Sequence, residues 1–296
     1  MALKLARRIT GKQKVVSVQG SFHGASLDAI AVGGEEQFRK YMGQLYPETI
    51  FIPQADTYRN GPDQELQFAE LLDEVLTRND DAGAFIAETI RNTDVQIPSK
   101  PYWEKIREVC DRHQVLLILD EIPIAFGRTG TLFAFEQYGM VPDILCLGKG
   151  LGAGAFPIAA IVAREDYNIT GDISLGHYTH EKSPMGAAAA LAMIEYTISQ
   201  QLLEKVQKDE SFFRKELELL KDEFPLIGDI RGKGLLWAVE LVKDPLTKER
   251  AVEEAEAVLY KKKKNGLSFK VSQGNVLQLC PPLIITLEQI TEALLI

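Results

Sequence analysis

Residues 115–121, VLLILDE, restrict the fold more than any other part of the chain. Five apolar residues in a row leave no wet face, so the run reads as a strand buried on both sides and ending in a carboxylate pair. A second short apolar run, DILCLGK, ends in Lys149, which is set against the glycine-rich GKGLGAG; between the two lies a glycine-punctuated turn, FGRTG. If both strands belong to one parallel sheet, the acid and the amine open into the crevice at the strands' carboxyl ends, where such sheets bind ligands. Asp120 and Lys149 are therefore the candidate working pair.

The flanking sequence alternates in the same sense. MALKLARRITGK reads as a helix entering a turn at Thr10 and Gly11, because KVVSVQ then continues as a strand ending in the glycine-bracketed loop GSFHGAS. Residues 33–64, rich in Gly, Pro, Asn and aromatics, read as an irregular connection. Residues 62–78 have the apolar spacing of an amphipathic helix, AGAFIAE reads as a strand with Glu88 at its end, and IPSKPYWEKIREVCDRH reads as a further helix. Such alternation predicts an α/β fold, a mostly parallel sheet flanked by helices. After Lys149, FPIAAIVA is a strand, GDISLGHYTHEKSP a polar loop, and residues 184–224 a long helical region starting at Pro184. The remainder reads as a strand, helix, strand set, so we expect a large domain over 1–196 and a smaller C-terminal α/β domain over 197–296. The four lysines 261–264 read as the solvated last turn of a helix stopped by Asn265 and Gly266.

Composition narrows the function classes. The net charge of −9 gives no electrostatic reason to bind nucleic acid or an anionic membrane, and no apolar run approaches the length of a membrane span. Cys110, Cys146 and Cys280 are widely spaced without a CxxC pair, so they are expected to be buried, reduced thiols. Neither His23 nor His180 has metal-like partner spacing, His113 and His177 carry no argument, and no metal is expected. A cytoplasmic enzyme acting on a small molecule fits these totals.

A lysine amine forms a Schiff base with a carbonyl cofactor, and an acid facing a pyridine nitrogen keeps that nitrogen protonated. Pyridoxal phosphate asks for both, for an aromatic or branched side chain on each ring face, and for phosphate donors. Phe22 or His23 can stack on one face, Ile122 on the other, and Thr179 can offer a hydroxyl. A nucleotide phosphate loop would place its lysine after the glycines, whereas Lys149 precedes them.

LLILDEIPIAFGRTGTLFAFEQYGMVPDILCLGKGLGAG resembles the core of the class III aminotransferases, pyridoxal phosphate enzymes of fold type I, and the match extends in order through SFHG at 21–24, Glu88 in IAET, YTHEKSP at 178–184, DIRGKGLLWAVEL and PPLIIT. The resemblance implies that Lys149 is the Schiff-base lysine and proton carrier. It implies that Asp120 pairs with the pyridine nitrogen, that Phe22 and Ile122 sandwich the ring, and that Glu88 belongs to the cofactor-binding set. Thr179 would reach the cofactor phosphate of a neighbouring subunit, which makes a homodimer the expected assembly.

Four departures qualify the likeness. The chain begins where the family is already inside a helix, without the preceding serine-glycine phosphate loop, and reaches Ile296 within a final helix, so it reads as an N-terminally truncated member. Ala25 and Ser26 stand where members acting on omega-amino acids often carry an arginine, Gln278 stands where an arginine usually binds a substrate carboxylate, and Pro123 replaces a cofactor-contacting glutamine. Arg91, in ETIRNT, is the candidate holder of a substrate anion and equally a candidate for a structural ion pair. Three functions follow: a transaminase moving an amino group between an amine or amino acid and a 2-oxo acid, a racemase or ammonia- or phospho-lyase of the same fold, and an inactive fragment of such an enzyme.

Overall fold

The computed structural model describes residues 1–169, 171 and 173–295. Two compact units emerge, both discontinuous in sequence. The first comprises Met1–Thr89, Pro98–Pro123 and Phe135–Met193, and the second Ile90–Ile97, Ile124–Ala134 and Ile194–Ile296.

The first unit is built on a six-stranded sheet of β1 (Lys14–Val18), β2 (Thr49–Ile52), β3 (Ala82–Glu88), β4 (Leu116–Asp120), β5 (Ile144–Leu147) and β6 (Ala160–Ala163). The strand order is β2-β1-β3-β4-β5-β6, and every pair is parallel except β5 with β6. All residues of β3 and β4 are buried, as expected of central strands covered on both faces. Leu117, Ile118 and Leu119 lie fully inside, each contributing about 1.5–3 kcal/mol by leaving water.

The helices have sequence-encoded ends. Ala2–Thr10 stops at Gly11, whose left-handed φ of 68° lets its N–H reach the Arg7 carbonyl at 2.8 Å. Lys100–His113 starts at Ser99, whose hydroxyl accepts the Tyr102 N–H at 3.3 Å, with Pro101 in the first turn where no N–H is needed. Its buried face carries Tyr102, Ile106, Val109 and Cys110, as the spacing predicts, and Trp103 as well.

The second unit holds a four-stranded antiparallel sheet of β7 (Ile227–Lys233), β8 (Leu236–Leu241), β9 (Lys270–Ser272) and β10 (Val276–Leu279), in the order β7-β8-β10-β9. Trp237 is buried there and stacks on Phe213 of the helix Leu202–Glu223, centroids 5.8 Å apart.

Several local readings change. The segment read as an irregular connection contains β2 and two single-turn helices, Glu36–Arg39 and Thr57–Asn60. DIRGKGLLWAVELV is a hairpin of two strands turning at Gly234, whose φ of 59° suits a residue without Cβ. The long helical region is two helices, Pro184–Ser199 and Leu202–Glu223, parted where Gln201 takes a left-handed conformation at φ 51°. Cys110 is buried but Cys280, just past β10, is exposed, so the three thiols do not share one environment. The lysine run does close the helix Val252–Lys264, and the final helix is Leu287–Leu295, with Ile296 outside the described residues. No helix among the described residues is long and apolar enough to cross a membrane.

Candidate active site

The strand register assembles the site. β3 and β4 place Glu88 opposite Asp120, and β4 and β5 place Asp120 opposite Cys146, three residues before Lys149. The loop after β1 brings Phe22 and His23 to the same carboxyl edge, although His23 and Asp120 are 97 residues apart in sequence. This edge is where a mostly parallel sheet opens to ligands.

His23 and Asp120 form the centre. His23 Nδ1 lies 2.9 Å from Asp120 Oδ2, and the two side chains are only 3% and 5% exposed. Because a carboxylate accepts, Nδ1 carries the proton and donates it. The other carboxylate oxygen accepts the Ile122 N–H at 3.1 Å. His23 Nε2 is buried and has no hydrogen-bond partner among the described residues. Leaving a buried polar group unmet costs about 1–3 kcal/mol, so such an atom in a residue that lines a cavity calls for an explanation.

His23 does line a cavity, of about 650 Å³, together with Asp120, Ile122 and Cys146 from the strand ends and Tyr178 and His180 from a loop. That volume is in the range of small-molecule sites. Burial and, second, the charge of Asp120 push the Cys146 thiol up to about 12, which makes it a neutral wall group. Ile122 lies close to the backbone of Gly148, where an added Cβ would come within 3.3 Å of its Cγ2.

The other candidates are divided between the two units. Lys149 is exposed, opens the short turn Lys149–Gly152 and holds a left-handed φ of 42°, a strained backbone for a lysine. Lys149, Phe22, Glu88 and Thr179 are not among the cavity's lining residues. The Phe22 ring packs on Phe38, centroids 5.0 Å apart, while its backbone N–H donates to Glu88 Oε1 at 3.2 Å. Thr179 is exposed in its loop. Arg91 belongs to the second unit, where it is buried and paired with Asp94 at 2.9 Å. Gln278 is buried in β10 of the same unit, its amide donating to the Asn92 carbonyl. Among the described residues, no group of three or more His, Cys, Asp or Glu is arranged to hold a metal ion.

Sequence reasoning placed His23 as a possible ring-stacking group and missed its bond to Asp120. No local pattern links the two, and only the β1–β3–β4 strand order brings them together.

The aminotransferase class-III family model matches residues 1–296. The chain belongs to that family. A (R)-1-hydroxy-2-aminoethylphosphonate ammonia-lyase of Vibrio splendidus is 53% identical over 313 aligned positions, which cover 99% of this chain and 65% of that enzyme. The chain thus spans about two thirds of that relative's length. A leucine/methionine racemase of Thermococcus litoralis is 36% identical over 99% of this chain and 68% of its own. Among solved structures, the taurine:2-oxoglutarate aminotransferase of Bifidobacterium kashiwanohense, in complex with PLP and glutamate, superposes with a TM-score of 0.93 at 27% identity, covering 99% of this chain and 70% of that one. This class-III member therefore has relatives named for elimination, racemisation and transamination on one shared fold.

Proposed function

We propose that this class-III member is a pyridoxal-phosphate-dependent ammonia lyase, acting on a 2-amino-1-hydroxy compound that carries an anionic group such as a phosphonate. The 53% identity to the Vibrio enzyme along nearly the whole chain carries the reading. The reaction balances without an oxidant: a proton leaves the nitrogen-bearing carbon and hydroxide leaves its neighbour, and water returned at the nitrogen-bearing carbon makes it an aldehyde and releases ammonia. It needs no second substrate, so it needs no site for 2-oxoglutarate. The commitment of Gln278 to a backbone carbonyl, at a position where the family resemblance implies a carboxylate-binding arginine, supports that economy.

The residues fit the cofactor. A buried carboxylate at the end of β4 can meet a ring nitrogen, Ile122 offers a branched side chain in the cavity wall, and Lys149 follows β5 next door. When bound, pyridoxal phosphate supplies a ring that withdraws electrons from a deprotonated amino compound. In this reading Asp120 holds a proton at the ring nitrogen, and His23 fixes the carboxylate's orientation through Nδ1. The Lys149 amine takes the proton from the substrate carbon that bears nitrogen, as a base carried on an exposed, mobile stem. Phe22 is proposed to cover one ring face and Glu88 to hold the Phe22 backbone. Thr179 is proposed to reach the cofactor phosphate in a second copy. The exposed Met185, Leu191 and Val162 support such a homodimer, since apolar side chains of this size favour burial. The acidic composition fits a cytoplasmic location.

Transamination is the second reading, favoured by the aminotransferase structure that superposes at a TM-score of 0.93. Incubation with pyridoxal phosphate and a 2-amino-1-hydroxyalkylphosphonate separates the two. Ammonia release without any 2-oxo acid supports the lyase; consumption of the amine only when a 2-oxo acid is added supports the transaminase.

A further inference from the structure

We propose that Asp120 is held by a closed circuit of three side-chain hydrogen bonds, in which Glu88, Thr89 and Glu121 are positioning residues. The functional weight of the circuit rests on the reading of Asp120 as the partner of the cofactor ring.

The circuit joins three pairs of chain neighbours. Glu121 Oε1 accepts the Thr89 hydroxyl at 2.8 Å. The next residue back, Glu88, accepts the Phe22 N–H at 3.2 Å. The residue after Phe22 is His23, whose Nδ1 meets Asp120 at 2.9 Å, and Asp120 is bonded through the backbone to Glu121. The links span 32, 66 and 97 residues, so each ties a different pair of segments. Within the ring, Glu88 and Asp120 are register partners of β3 and β4.

Strand geometry explains the division of labour. Successive side chains at the end of β4 point to opposite faces, so Asp120 meets His23 at the cavity while Glu121 turns into the core. Glu121 and Thr89 are both fully buried, and the Phe135 N–H gives Glu121 Oε1 a further contact at 2.8 Å. Hydrogen bonds to a carboxylate are stronger than neutral ones, and buried networks reinforce one another. Because the ring closes, loosening the Glu121 to Thr89 link frees β3's end, hence Glu88, the Phe22 amide and the His23 ring. A shift of about 1 Å at such a group costs up to about a hundredfold in rate.

The test reads the far link directly, in protein without cofactor. With ¹⁵N-histidine, the His23 Nδ1 proton should exchange slowly with solvent. Thr89→Val, which keeps the shape and removes the hydroxyl, is expected to speed that exchange about tenfold relative to global unfolding measured on backbone amides. Thr89→Ser should restore it. Thr89→Val combined with Glu88→Ala should cost less than the product of the single effects, because both open the same ring. Glu121→Gln keeps the Oε1 acceptor and should stay within about threefold of the parent, whereas Glu121→Ala, which also loses the Phe135 N–H, should speed exchange at least as much as Thr89→Val. An unchanged His23 exchange rate in folded Thr89→Val, or multiplicative effects in the double variant, would overturn the circuit. Should Thr89→Val not fold, equal exchange rates in Glu121→Gln and Glu121→Ala would overturn it instead. Failure to take up pyridoxal phosphate would sink the proposed function, a result distinct from the exchange rates.

Discussion

At the carboxyl ends of β3, β4 and β5, Asp120 is gripped by one ring nitrogen of His23, a residue that lines a cavity, and the other ring nitrogen is buried with no hydrogen-bond partner among the described residues. In the second unit the buried charges face one another. Arg231 directs Nη1 to Asp229 and Glu240, at 2.8 Å each, and Nε and Nη2 to the Asp94 carbonyl at 2.9 and 2.7 Å. Burial works against the charge of Arg231, yet the carboxylates around it outweigh that and raise its pKa. Two clusters made of the same kinds of side chain thus differ in what they leave unmet. A closed cluster braces a sheet, and an open one waits for a ligand.

The largest effect that would break this contrast lies at Lys149. Lys149→Ala is expected to lower turnover by about 10⁴-fold, measured as ammonia release per folded protein, with the thermal midpoint little changed. Arg231→Ala should do the reverse. Stranding the 2%-exposed Glu240 should cost about 3–5 kcal/mol in a denaturant titration, with turnover per folded molecule kept.

Arg91 sharpens the contrast, because sequence alone allows it to hold a substrate anion or to act as a strut. Its burial and its pair with Asp94 predict that Arg91→Ala loses about 3 kcal/mol of stability and leaves KM unchanged. A tenfold rise in KM with stability intact would move Arg91 into the substrate site.

The smallest effect belongs to a surface pair. Asp73 accepts from His113 at 2.6 Å and Arg112 at 2.7 Å, and these hold its carboxyl below the usual value. A depressed folded pKa stabilises above the unfolded value, about 3.9, and that stability is lost as pH falls through the lower folded value. Asp73→Asn should therefore lower stability by a constant small amount above about pH 4, with the difference from the parent shrinking as pH falls further; a difference that stays constant down to the acid limit would contradict the assignment.

Much of this was legible in the sequence, for physical reasons. VLLILDE could only be a strand buried on both faces, and its neighbours fixed a mostly parallel sheet. The placing of Asp120 at the end of β4 and of Lys149 just after β5 was readable because both apolar runs stop at those residues. The His23 to Asp120 bond was not, since no periodicity reports a contact 97 residues long. Glu121 had a readable signal, as alternation past Asp120 turns it inward, but its partner Thr89 depends on the β3–β4 register. The β7–β8 hairpin was read through as one strand because its apolar run resumes at once after the glycine turn.

The pairing of Lys149 with the Asp120 edge is tested most directly by loading the protein with pyridoxal phosphate, reducing with borohydride and mapping the labelled peptide by mass. The site described here predicts one label, on Lys149, and none in Lys149→Ala. A label on another lysine, or an equal yield of label in the variant, would contradict it.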